Sequence, residues 1–170
     1  SLLQHSQAEV RWNLMVDLGM LELNGEELPA QIWLDEAAKA HWQVERLVLQ
    51  PQRDGRWGLV VHGLDSGEAI TPESQGRLLA QEQRRLMGLL PEMLHGLPVV
   101  SAALKQANSL GVMRWGASRP LNHPLPQKLQ WCPTSAVGFC GDWIEGPGFG
   151  RAEGAIHSGV NLAEQLHADR

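Results

Sequence analysis

A chain of 170 residues, 43% apolar and only 19% charged, carries enough hydrophobic material for a real core and too much for a disordered chain. Its formal net charge of −5 lacks the basic balance expected of a nucleic-acid binder or an anionic-membrane binder. Two cysteines, Cys132 and Cys140, are too few for a disulfide framework, and no apolar run reaches the roughly 18 residues of a bilayer span.

The chain opens on Ser-Leu-Leu-Gln-His, with no methionine and no basic-then-apolar pattern of a secretory signal. The expectation is a processed or excised chain in a reducing, cytoplasmic setting. From Val10 to Leu18, Val10, Trp12, Leu14, Val16 and Leu18 share one parity, the period-2 pattern of a strand with one buried face. Ala30 to Leu34, Trp42 to Leu49 and Arg56 to His62 read as further strands, with Asp54-Gly55 as a hairpin turn. Residues 8–63 are therefore expected to form an antiparallel, meander-like sheet. A helix follows, with Thr71 as N-cap, Pro72 at its first position and Glu73 in its first turn. Leu78, Leu79, Leu86, Leu89 and Leu90 fall on one side, Gln75, Arg84 and Arg85 on the other, and Pro91 is expected to end it.

Between 97 and 115, Val99-Val100 and Val112 to Trp115 look extended, and Ser101 to Ala107 fits either a helical turn or a strand. Pro120, Pro124 and Pro126 predict a rigid irregular connection, and Leu129 to Cys132 a short strand. Ala136 to Cys140, apolar between Pro133 and Gly141, reads as a buried strand with Cys140 an inert buried thiol. The glycine-rich turn Gly141–Gly150 leads into a helix from about Arg151 to His167, whose buried side would carry Ala155, Ile156, Gly159, Ala163 and Leu166.

A strand, a glycine-rich turn and a helix present backbone N–H groups at a helix N-terminus, where the unpaired amides and the macrodipole favour negative charge. Small residues at Gly150, Ala152, Gly154 and Ala155 would admit a flat or bulky ligand, and Asp142 could accept hydrogen bonds from sugar-like hydroxyls. The same residues also read blandly, as a loop whose Asp142 caps a turn. Gly148-Phe149-Gly150-Arg151-Ala152-Glu153 is not a dinucleotide fingerprint, because Glu153 stands where the third glycine belongs. His157 and His167 lie ten apart on one predicted helix, and there is no His-x-x-x-His or Cys-x-x-Cys pair, so no metal site is expected. No acid–base or nucleophile pattern singles out a catalytic residue. Each tryptophan is more simply core than ligand wall.

Gly141-Asp142-Trp143, Gly148, Gly150 through Gly159 and Ala163 together resemble the C-terminal flavin-binding segment of FAD-dependent amine oxidases, closest to the bacterial renalase-like branch. Arg11-Trp12-Asn13-Leu14-Met15, Val60-Val61-His62-Gly63 and Arg114-Trp115-Gly116-Ala117-Ser118-Arg119-Pro120 add weaker matches in the family's order. The resemblance implies an α+β chain, with a substrate-type sheet domain and covering helices over 1–134 and the C-terminal part of an FAD-binding domain over 135–170. It implies that Gly141, Asp142, Trp143, Gly150, Arg151, Glu153, Gly154 and Ala155 bind FAD, and that Trp115 lies near the cavity of a small-molecule substrate, amine-like or dihydropyridine-like, which gives a hydride to the flavin. The family's N-terminal Gly-x-Gly-x-x-Gly unit is missing from this chain, so the fragment is expected to bind FAD weakly or not at all and to be inactive alone. The alternative is a non-catalytic binding or oligomerisation module, self-associating through an exposed sheet face.

Overall fold

The computed structural model describes residues 5–65 and 67–168. Four of the five opening residues, which bear on the signal-sequence expectation, lie outside them. The architecture is α+β. The described residues form two compact units. One runs from Arg11 to Trp115; the other takes in the residues up to Val10 and those from Gly116 onward.

The first unit is built on an antiparallel sheet of β1 (Ala8–Met20), β2 (Gln31–Trp33), β3 (Val44–Pro51), β4 (Arg56–Leu64) and β5 (Asn108–Pro120), in the order β2-β3-β4-β1-β5. The predicted alternation holds: Trp12, Leu14, Val16 and Leu18 are all buried on one face of β1. In-register partners bring Leu59 and Val61 of β4 and Leu47 and Leu49 of β3 to the same face. The meander covers β2 to β4 only, because β1 returns to pair with β4 on its far side. The Asp54-Gly55 turn forms as expected: Gly55 takes φ +83, and Asp54 Oδ1 accepts from the Arg56 amide at 3.2 Å.

Helix α1 (Glu36–Trp42) occupies part of what reads as a strand from Trp42. Asp35 caps it through the Ala38 amide at 2.8 Å, and Gln43 closes it in the left-handed region. Arg85 of helix α2 (Gln75–Met93) donates to the Trp42 carbonyl at 2.7 Å, satisfying an orphan carbonyl at the C-terminus of α1. Helix α2 begins after Thr71: the Thr71 and Ser74 hydroxyls bond each other's amides in a leading turn, and Ser74 is the N-cap. Pro91 sits inside its last turn and does not end it. Leu78, Leu86 and Leu90 are buried against the sheet's apolar face, with Leu79 and Leu89 partly buried. Val99-Val100 is helical, not extended, in α3 (Pro98–Ala103), where Pro98 fills the first position.

The second unit holds the outer ends of β1 and β5, a connection containing a 3₁₀ turn at Gln127–Leu129, the hairpin β6 (Trp131–Cys132) and β7 (Val137–Gly138), and helix α4 (Ala152–Ala168). Its buried large apolar residues are Leu125 and Ile144, which form a parallel bridge. The segment Ala136 to Cys140 is not a buried strand: β7 is two residues long and exposed, and both cysteines are exposed. A two-stranded hairpin has nothing to cover its second face. Cys132 carries a thiol pKa below the usual value, because the Ser135 hydroxyl and neighbouring amides stabilise the thiolate. The expected inward face of α4 holds in part, with Ala155, Gly159 and Leu166 half-buried. Gly154 and Ser158 are buried, whereas Ile156 is 68% exposed and Ala163 faces solvent. Among the described residues no helix is long and apolar enough to cross a membrane, and no three His, Cys, Asp or Glu residues converge as a metal site.

Candidate functional site

The glycine-rich turn is organised by its own backbone. Gly141 takes φ +145, and a β-carbon there would stand 2.5 Å from the Trp143 indole nitrogen. The buried Ser158 hydroxyl of α4 accepts from the Gly141 amide at 2.8 Å and has the Gly141 and Ala155 carbonyls at 3.0 and 2.8 Å as acceptors. The turn and α4 are therefore stitched together through Gly141 and Ser158. Gln130, wholly buried, adds a second stitch: its Nε2 donates to the carbonyls of Phe139 at 3.1 Å and Ser158 at 2.9 Å. Ser158→Ala removes the acceptor for Gly141 and is expected to cost about 1–3 kcal/mol, read as a lower midpoint in urea unfolding with the same slope. An unchanged midpoint would mean that water replaces the hydroxyl.

The loop turns back on itself before the helix starts. Phe149, Gly150 and Arg151 amides donate to the carbonyls of Gly146, Asp142 and Gly148, at 3.2, 2.7 and 2.9 Å. The Ala155 amide reaches the Arg151 carbonyl at 3.2 Å. Of the amides from Arg151 to Ala155 that the sequence offers to a ligand, both ends are thus engaged by backbone. Gly154 is also taken: the Gly148 carbonyl lies where its β-carbon would stand, so the glycine serves loop–helix packing. Arg151 and Glu153 are exposed in the first turn, with Glu153 Oε1 3.8 Å from His157 Nε2.

Asp142 and Trp143, half-buried, open on a cleft of about 370 Å³ whose other walls include Gln7, Ala117, Pro120 and Asn122. Gln7 and Asn122 clasp each other: Asn122 Oδ1 accepts from the Gln7 amide at 3.0 Å, and Asn122 Nδ2 donates to Gln7 Oε1 at 2.9 Å. Gly150 rests against the same strand end, where a β-carbon would meet Arg119 Cγ at 3.1 Å and the Pro120 carbonyl at 3.5 Å. The structure therefore brings together Gly141, Asp142, Trp143 and Gly150. Gln7 and Asn122 are cleft residues that the sequence did not reveal, since neither stands in a pattern with chemical meaning. Trp115 lies on β5, half exposed, its indole nitrogen 2.8 Å from the Asn13 amide oxygen. The arrangement can accept hydrogen bonds through the Asp142 carboxylate beside a polar Gln–Asn clasp and an aromatic wall.

No family model matches this chain, and neither the curated proteins nor the solved structures contain a significant match to it.

Proposed function

We propose that this chain is the C-terminal part of an FAD-dependent oxidoreductase of the amine oxidase class, whose Gly141–Ala155 turn and helix hold the flavin side of the cofactor. One observation carries the reading. Two stretches that resemble the family lie apart in sequence, yet Ala117 and Pro120 of one meet Asp142 and Trp143 of the other at one cleft, and Gly150 rests against Arg119 and Pro120. The residues present fit the group. Asp142 offers an acceptor for the polyol chain, Trp143 an apolar wall, and the first turn of α4 a partial positive charge. Gly154 is covered by Gly148 and is not open to a ligand. When bound, the flavin would supply a two-electron hydride acceptor for an amine-like or dihydropyridine-like small molecule. The positive helix end favours the negative charge that accompanies hydride uptake. The second unit has few buried apolar side chains, and Leu121, Leu129, Val137, Ile156 and Val160 are exposed. That fits a domain awaiting its nucleotide-binding half. It also favours the second reading, a non-catalytic association module.

The test is the visible spectrum of the full-length gene product. Co-purifying flavin, retained roughly tenfold less tightly after Asp142→Ala because a charge-assisted hydrogen bond is lost, supports the oxidoreductase. A colourless full-length product, or flavin indifferent to the substitution, overturns it and leaves the association module.

A further inference from the structure

The sheet of the Arg11–Trp115 unit has a second face, opposite its buried core. Registered pairs lay a transverse row across it: Trp33 of β2 opposite Arg46 of β3, Arg46 opposite His62 of β4, and His62 opposite Asn13 of β1. The Asn13 amide is oriented by its neighbours. Its nitrogen donates to His62 Nδ1 at 2.8 Å and to the Trp12 carbonyl at 3.3 Å, while its oxygen accepts from Trp115 Nε1 at 2.8 Å. Asn13, His62 and Trp115 come from the three weaker stretches noted in the sequence, one residue from each, and form one hydrogen-bonded chain. Because Nδ1 accepts, the imidazole proton sits on Nε2, which is left as a donor. Burial and the neighbouring Arg46 guanidinium, opposed by the Glu45 carboxylate, hold the His62 pKa below its ordinary value.

Arg46 differs from the other arginines of this sheet. Arg11, Arg56, Arg114 and Arg119 each have a carboxylate partner, in Glu45, Asp17, Asp65 and Glu9. The described partners of Arg46 are neutral: the Gln31 amide oxygen at 3.5 Å and the Trp33 ring, 4.7 Å from its guanidinium carbon. Its Nε is buried without a hydrogen-bond partner. A break in the β3–β4 register between Val44 and Arg46 produces this juxtaposition. Continued pairing from Val44 and Gly63 would have set Glu45 opposite His62; the bulge sets a guanidinium there instead, and bulges commonly re-aim side chains beside binding sites. Row by row, Val48, Val60 and Met15 lie in register on the same face and give it an apolar floor.

We propose that this face binds a small aromatic carboxylate, its anionic head on Arg46 and the His62 Nε2–H and its ring on the apolar floor between Trp33 and Trp115. An uncompensated guanidinium beside a neutral donor selects an anionic acceptor. Two half-exposed indoles and a flat aliphatic strip select a planar ring. A neutral amide of the same shape loses the ionic contact and is disfavoured. None of the residues of this face belongs to the turn or to α4, and Trp115 is the one residue it shares with the flavin reading, which sets it near the substrate.

The probe is 2-naphthoate, with 2-naphthamide as the neutral control, titrated into the chain and followed by the indole N–H and imidazole signals in nitrogen-15 correlation spectra. Saturable shifts of Trp33, Trp115 and His62 are expected at roughly millimolar concentration, with the Nε2–H tautomer seen at His62 before addition. The amide control and Arg46→Gln are each expected to bind at least about fivefold more weakly. Asn13→Leu frees the ring and is expected to alter the His62 tautomer population. Absence of saturation, equal binding of acid and amide, binding that survives Arg46→Gln, or a His62 protonated at Nδ1 would each overturn the proposal. Should Arg46→Gln misfold by near-ultraviolet circular dichroism, the acid–amide comparison on the unaltered chain decides alone.

Discussion

Gly154→Ala is expected to strip hydrogen-exchange protection from the first two turns of α4, by about a hundredfold for a cost of about 3 kcal/mol. A β-carbon at this position would stand 2.6 Å from the carbonyl carbon of Gly148, nearer still to its oxygen, and 3.1 Å from the Phe149 amide nitrogen. The obstacle is backbone on both sides, so no side-chain rotation relieves it. The reciprocal site is as tight: at Gly148, with φ +76, a β-carbon would lie 2.6 Å from the Gly154 nitrogen. The helix and the loop must then separate, loosening the hold of Ser158 on Gly141 and with it the position of Asp142. The cost is large for a unit whose buried large apolar residues are Leu125 and Ile144. The control is the same substitution in the same helix. Nothing lies within 4 Å of a β-carbon at Gly159, so Gly159→Ala is expected to gain roughly 0.5–1 kcal/mol from helix propensity. Equal protection in the two variants would mean that the loop does not rest on the helix.

These opposite signs mark what the sequence could and could not announce. The strands of the first unit were legible because helices cover one face of the sheet, and burial on one face writes period two into β1 and β4. Helix α1 was not, since it is seven residues long and buries none of them. Its one available signal was Asp35, three residues ahead of the Ala38 amide it caps. Two positions of the inward face of α4 were misread for a different reason. Hydrophobic periodicity nominated Ile156 and Ala163, but the helix approaches its unit through a glycine and a serine. Close backbone contact and a hydroxyl bond leave no apolar pattern. At the candidate site, Gly-Asp-Trp and the glycines were visible as a turn, while their meeting with Ala117 and Pro120 was not. That meeting depends on β5 running to Pro120, across residues that had been split between a strand and an irregular connection.

Leu86→Ala is expected to lower the thermal midpoint of the chain's main unfolding transition by roughly 10 °C, for a loss of about 3 kcal/mol. Leu86 has no solvent exposure and belongs to the core cluster that joins α2 and α3 to β1, β3 and β4. It packs where the sheet offers a hollow: a β-carbon built at Gly63 would lie 3.4 Å from Leu86 Cδ2 and 3.4 Å from Trp12 Cβ. The glycine on β4 thus makes room for the leucine, and alanine at 86 would leave that room empty. The void has little to refill it, since its walls are backbone of β4, the Trp12 side chain and α2 itself, and the cost rises with the volume that fails to collapse. Several kcal/mol is a large share of the stability of a typical domain. Leu110→Ala gives the comparison, because Leu110 is 67% exposed and its loss is expected to fall within about 0.5 kcal/mol. A Leu86→Ala midpoint as high as that of Leu110→Ala would place the folding energy elsewhere than in the α2–sheet seam. The full drop would fix that seam as the support for the registered row of Trp33, Arg46, His62 and Asn13 on the opposite face.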